Sequence, residues 1–363
     1  MSSSISLSGF LRNDETQIRF FDIGRRVTKL QLADFEKFEQ RLLAYPYPFQ
    51  QTAWVGILFW NIKNKEQHNI WFVRMPLDEQ GFINIASRDE FMDMLLARIG
   101  EQIVSKDGDE NKLTHALKDN PYVFKPTEEN MAAFHSKAKQ ILGLPASQFL
   151  KDMVQYLSGE NFENWQNLGI QGFADIAIKQ NEPEVQKLLC RVISELPEQP
   201  FCALCNALEN ETCGAELSAE IVKILRELIS EDANGNVDES KKAESLSKIT
   251  SCIRAIANTA STQLKQKILS DLLLSQYGNE PAVLVMIAAK NWESLDDKDL
   301  LRLYLEKLSS NPNGSVLFNA LMADQMFMPG KRNTILEIFR DPDRSDVLST
   351  AVGAFFNQMN NNS

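Results

Sequence analysis

Residues 279–290 read NEPAVLVMIAAK, and from Pro281 to Ala289 this run is apolar nearly all round. A helix of that composition has to be covered by neighbours on several sides. Its opening echoes an earlier one, because Asn181-Glu-Pro-Glu-Val185 resembles Asn279-Glu-Pro-Ala-Val283 at a distance of 98 residues. Asn311-Pro312 and Asp341-Pro342 continue the series at intervals of 31 and 30. Proline suits the first position of a helix, where its missing N–H leaves no bond unmade. A spacing of about 33 residues is that of a helix-pair repeat, in which each pair hides its apolar stripe against the next. An irregular helical bundle is the alternative reading.

The flanking sequence extends this pattern. Val185, Leu188, Leu189, Val192 and Ile193 mark a helix over 183–195. Leu217, Ile221, Ile224, Leu225 and Leu228 mark another over 216–230, and Leu246, Ile249, Ile253 and Ile256 a third over 240–257. Each carries the stripe of a helix with one buried face. The loop Glu231–Ser240 disturbs the spacing, and no strand is expected after Pro145. Residues 145–356 are therefore read as an all-α helical-hairpin array, with 357–363 (NQMNNNS) as a disordered tail.

The first part of the chain reads differently. Thr16–Ile23 is β-like and Gly24 closes it, after which a helix is expected over 31–44, ended by Tyr45-Pro-Tyr-Pro48. Ala53–Trp60 (AWVGILFW) is apolar on both strand faces, with Trp54, Leu58 and Trp60 on one and Val55, Ile57 and Phe59 on the other. Such a strand is covered on both sides. A polar loop is expected over 61–69, then an antiparallel partner over 70–75, a turn over 77–81 and a further strand over 82–85. Ser87 and Glu90 form a capping-box pattern before a helix over 88–104. Residues 105–120 are charged and without period, so they read as loop, and Thr127–Leu142 returns to helix. The expected organisation is a small α+β domain with an antiparallel sheet over 1–125, a connecting helix over 126–144, and the array: mainly α overall.

Charge divides the same way. Residues 1–144 hold 18 basic and 19 acidic side chains, a net of −1, and residues 145–363 hold 20 and 30, a net of −10. An array that wraps nucleic acid needs a basic groove, so this acidic one argues against nucleic acid as a partner. The start has no basic run followed by an apolar core, and the longest apolar runs are far short of the roughly 20 residues that span a bilayer. A cytoplasmic location, away from membranes, is the expectation.

The five cysteines, Cys190, Cys202, Cys205, Cys213 and Cys252, lie in the helical part, and their odd number argues against a disulfide framework. Cys202-x-x-Cys205 falls within a helix and lacks a second ligand pair, so structural thiols are expected and no metal or cofactor is assigned. His68, His115 and His135 show no metal-type spacing. No phosphate loop, dinucleotide fingerprint or zinc-protease motif is present, and no catalytic residue is assigned. The candidate interaction residues are Arg25 and Arg26 in the densest basic spot, Trp54, Trp60 and Trp71 around one hairpin, and the adjacent carboxylates Asp78 and Glu79. Each has an ordinary alternative: a strand end, a double-covered sheet and a turn.

FDIGRR at 21–26, YPYPFQ at 45–50 and WFVRMPLDEQGF at 71–82 resemble a family of gamma-proteobacterial cytoplasmic proteins of unknown function. That resemblance brings no site residues. More loosely, the second half is similar to HEAT-type repeats, which implies a fold and a tendency to bind proteins. The expected function is therefore a non-enzymatic protein–protein interaction or adaptor scaffold for a protein partner that the sequence does not name. The alternative is an enzyme or small-ligand sensor with its site in the α+β domain.

Overall fold

The computed structural model describes residues 6–104, 117, 119–159, 162–231 and 239–361. The chain falls into two compact units, Met1–Pro145 with Phe327–Pro329 and Ala146–Met326 with Gly330–Ser363.

In the first unit a short helix α1 (Leu7–Leu11) precedes strands β1 (Thr16–Asp22) and β2 (Thr28–Leu30), helix α2 (Leu32–Glu39), strands β3 (Thr52–Asn61) and β4 (Asn64–Pro76), and helices α3 (Ile85–Val104) and α4 (Glu128–Leu142). The four strands form one antiparallel sheet in the order β2-β1-β3-β4. Strand β3 is covered on both faces, as its two-sided apolar pattern requires. Val55, Ile57 and Phe59 join Phe20 of β1, Trp71 and Val73 of β4, and Phe35, Phe38, Phe91 and Leu95 of α2 and α3 in one core. Leu58 and Trp60 face the other way, into a second core with Phe21 and with Ala133, Phe134, Ala138 and Leu142 of α4.

That second core corrects the expected connector over 126–144. Helix α4, capped by the Thr127 side chain and ended by Gly143 in the left-handed region, lies on the sheet as its outer layer. Gly56 lets it approach: a Cβ there would sit 2.7 Å from a ring carbon of Phe134 and 2.9 Å from Ile23.

Other details differ from the sequence reading. The polar stretch 61–69 is mostly strand, because β3 runs to Asn61 and β4 starts at Asn64, leaving a two-residue turn. Its polarity reflects an exposed strand rather than a loop. No strand forms over 82–85. Asp78 Oδ1 accepts the N–H groups of Gln80 and Phe82, one bridge joins Leu77 to Ile83, and α3 begins at Ile85 with Asn84 Oδ1 accepting the Ser87 N–H. Asn84, not Ser87, is therefore the capping side chain. Helix α2 stops at Glu39, after which Arg41 adopts φ 59° and Leu42 and Leu43 are exposed. Most of the expected loop 105–120 lies outside the described residues.

The second unit is helical throughout its described residues: α5 (Phe149–Ser158), α6 (Ile170–Ala177), α7 (Pro183–Val192), α8 (Glu198–Leu208), α9 (Ala215–Glu231), α10 (Glu239–Ala255), α11 (Thr262–Leu274), α12 (Pro281–Lys290), α13 (Lys298–Ser309), α14 (Gly314–Phe327), α15 (Lys331–Phe339) and α16 (Asp346–Asn361). Alternate helices pack together. One row runs α5, α7, α9, α11, α13, α15 and the other α6, α8, α10, α12, with one continuous core between them. Buried amides tie α12 to α10 and to α14, since Asn291 Nδ2 donates to the Ile253 carbonyl at 2.8 Å and Gln325 Nε2 of α14 donates to the Ala288 carbonyl at 3.1 Å.

The period of about 33 is irregular: helix starts in the first row lie 32 residues apart from Pro183 to Ala215 but 47 apart from Ala215 to Thr262. Pro183 does open α7 and Pro281 does open α12, but these helices belong to different rows. The 98-residue echo thus relates two helix starts and not three whole units. Side-chain bonds between successive layers likewise span variable distances, 32 residues for Gln180–Thr212, 38 for Asn291–Ile253 and 45 for Arg254–Glu209. Helix α16 also runs to Asn361, over most of the segment expected to be a disordered tail, while 362–363 lie outside the described residues. The middle of the loop Glu231–Ser240 is likewise outside them.

Candidate functional site

The turn that follows β1 gathers the basic spot read from the sequence, and it is sealed. Asp22 accepts the N–H of Arg25 at 3.0 Å, the N–H of Arg26 at 3.4 Å and the hydroxyl of Tyr45 at 2.8 Å. Arg25 Nε donates to the Pro48 carbonyl at 2.8 Å, and its guanidinium lies 5.7 Å from the centre of the Phe49 ring. Arg25 and Arg26 are 2% and 4% exposed, so neither offers its charge to a partner in solution. Burial pushes the Asp22 carboxyl up to about 6 against the pull of its hydrogen bonds, and burial together with Asp22 pushes the Tyr45 phenol well up. FDIGRR and YPYPFQ are therefore two halves of one packed polar knot.

The three tryptophans do not form one pocket. Trp71 lies in the core under α2 and α3, edge-on to Phe59 at 4.9 Å. Trp60 lies in the core under α4, with the Arg19 guanidinium 5.3 Å from its ring centre. Trp54 is half-buried, donates Nε1–H to the Phe49 carbonyl at 3.0 Å and meets Phe124 edge-on. Asp78 closes its turn and accepts from Arg41 at 2.7 Å, whereas Glu79 beside it is exposed. The sequence candidates are thus distributed over two cores and a turn.

In the second unit the thiols are packed. Cys205, Cys213 and Cys252 are buried, Cys190 and Cys202 half-buried, and no group of three metal-ligating side chains occurs among the described residues. Burial raises the Cys205 thiol well above its ordinary range and the Cys213 thiol to about 12, which keeps both protonated and poorly nucleophilic. The strongest electrostatic feature is Glu209, which caps the end of α8 and is fully buried. It accepts from Arg254 Nε at 2.5 Å and Lys290 Nζ at 3.0 Å, so its carboxylate joins α8, α10 and α12. Burial alone would push its carboxyl up. Lys290 and Arg254 outweigh that and hold it below its ordinary value.

The open surface lies elsewhere. A groove of about 410 Å³ between α5 and α7 is lined by the apolar Val154, Val185 and Leu188 and by the charged Glu184, Lys187 and Arg191. Val185 and Leu188 belong to the stripe read from the sequence as a buried face, and both are half-buried. Periodicity tells which side chains share a face, not how completely the next helix covers it.

Fold and surfaces together define a mainly α protein, a small antiparallel sheet near the N-terminus followed by helices, with an apolar groove on its helical part. Residues 4–356 match the family described as Protein of unknown function (DUF3549), and the chain belongs to that family. Neither a curated protein nor a solved structure matches it. No helix among the described residues is long and apolar enough to cross a membrane.

Proposed function

We propose that this is a cytoplasmic, non-enzymatic interaction scaffold whose second unit is a HEAT-like solenoid of helical hairpins, and that it holds a protein partner in the groove between α5 and α7. The observation that carries the reading is the packing of alternate helices in two rows over residues 149–339. Helices stacked in this way expose long continuous surfaces, the usual basis of partner binding by repeat proteins. The groove adds a specific place, since a lining of apolar and charged side chains fits a segment that presents apolar side chains between polar ones. The alternative of an enzyme or ligand sensor in the first unit has no comparable support. Of the residues on which it rests, Arg25, Arg26, Asp78 and the three tryptophans, Arg25, Arg26, Trp60 and Trp71 are taken up in packing.

Quantitative affinity purification from the native host tests this, comparing the unaltered chain with Leu188→Glu and with Glu79→Lys, an exposed change on the first unit. The reading expects a partner captured by the unaltered chain and by Glu79→Lys and lost by Leu188→Glu, with the helical circular dichroism of all three unchanged. Identical capture by Leu188→Glu overturns the groove assignment.

A further inference from the structure

Two histidines lie where helix α4 meets the sheet. His68 of β4 stands opposite Trp60 in the ladder, so it shares the side of the sheet that Trp60, Ile70 and Phe72 turn to α4. His135 of α4 stands three positions before Ala138 and seven before Leu142, on the stripe that packs on that side. Both imidazoles are half-buried, and His68 Nδ1 is buried with no hydrogen-bond partner. Lys139, one turn beyond His135, is half-buried as well.

The charges around this seam are one-sided. Arg19 of β1 pairs with Leu58, so it lies on the same side of the sheet, against the Trp60 ring. Strand β3 contributes Leu58 and Trp60, and Phe124 completes the core, none of them charged. One turn before His135 stand Met131 and Ala132, also uncharged. Glu66, the one acid of β4, is exposed. Among the described residues no carboxylate forms an ion pair with Arg19, His68, His135 or Lys139. Burial lowers the His135 imidazole below its ordinary value of 6.5, and Lys139 and His68 lower it further.

We propose that α4 is an acid-sensitive cover: mild acid charges His68 and His135 together, and the helix loosens from the sheet and bares the face formed by Phe21, Leu58, Trp60 and Phe72. A protonated His68 gains an N–H donor at a buried nitrogen that has no acceptor. A protonated His135 meets the field of a second imidazolium and of Lys139, with no carboxylate to compensate. Release of α4 relieves both, because water then solvates each ring. The released helix therefore takes up a proton on His135 before the docked one does. Docking is fully stabilised above about pH 6.5 and loses that stability as pH falls from there toward the lower docked value. Asp22, in the same unit, acts in the opposite sense, so the loss falls on α4 and is not shared by the unit.

Hydrogen exchange of the full chain, read by mass spectrometry and corrected for the intrinsic rate, tests this between about pH 7.5 and 5.5. The expected result is a loss of protection in α4 on acidification while α2 and β1 keep theirs. The double variant with His68→Gln and His135→Gln keeps neutral polar side chains, and is expected to hold α4 equally protected at both pH values. Lys139→Gln removes one repelling charge from a half-buried position. It is expected to lessen the loss and to raise the His135 titration midpoint read by NMR, which decides the matter even where the double variant fails to fold. Protection of α4 that stays level or rises toward pH 5.5, equal loss in α2 and α4, or an undiminished loss in a folded double variant or in Lys139→Gln would each overturn the proposal.

Discussion

At the scale of single residues, Asp22 shows how a motif can look functional and be architectural. An aspartate three positions before paired arginines suggests an anion grip, but its carboxylate is turned inward to hold the turn and the Tyr45 hydroxyl. Burial raises its pKa from 3.8 to about 6. Between these values the folded chain holds a proton that the unfolded chain has released, so stability from this group rises as pH falls from about 6 to about 4. The full difference is roughly 3 kcal/mol. Urea melts of the unaltered chain and Asp22→Asn at pH 7, 5.5 and 4.5 check this. The unaltered chain should gain stability relative to the variant across that window, and parallel pH profiles would count against it. The sequence identified the residues of this knot and not their orientation, because only the fold brings Tyr45 and Pro48 beneath the β1 turn.

At the scale of elements, legibility followed periodicity. Helix α12 and the proline starts of α7 and α12 were plain, because a strongly apolar run and a proline at the first position act locally. The two-faced pattern of β3 correctly implied layers on both sides of the sheet. It did not say which element supplies the second layer, since α4 is remote in sequence and its stripe fits a connector equally well. The glycine in AWVGILFW was the available clue, because a glycine inside a strand marks a close approach. Gly56→Val is expected to destabilise the first unit by about 1–3 kcal/mol through clash with Phe134 and Ile23. Thermal melts followed by tryptophan fluorescence would show it, and an unchanged midpoint would mean that α4 does not pack as described. Short elements such as α1 and β2 left no signal, their five and three residues being too few for a period.

The Glu209 ion cluster belongs to the same scale, since it joins three helices of one row. Removing one partner of a buried charge cluster leaves the others uncompensated, at a cost of about 3–5 kcal/mol. Glu209→Ala should therefore lower the denaturation midpoint of the helical unit well below that of Glu337→Ala. Glu337 is paired with Lys298 on the surface, where such a pair contributes little. Equal midpoints in chemical denaturation would contradict the assigned geometry. This cluster is not legible in the sequence, because Arg254 and Lys290 stand 45 and 81 positions from Glu209 and each looks like an ordinary surface charge.

For the whole molecule, the division near residue 145 and the contrast between a sheet-bearing part and a helical one were readable from composition and pattern. The repeat length was not, because a degenerate array keeps its helices while insertions such as 231–240 shift their spacing, and proline marks helix starts in either row. The open surfaces were not readable either. Whether Val185 and Leu188 meet another helix or water depends on the stacking of the array, which no window of sequence contains.

The account depends on serial stacking in the second unit, and hydrogen exchange of a variant at one end tests it most directly. Phe339 is buried among Phe318, Phe355 and Phe356 at the C-terminal end. If each helix is held only by its neighbours, Phe339→Ala loosens α13 to α16 and leaves the amides of α5 to α9 as protected as before. Equal loss of protection from α5 to α16 would mean a single cooperative globule, and it would remove the basis for reading the unit as a scaffold.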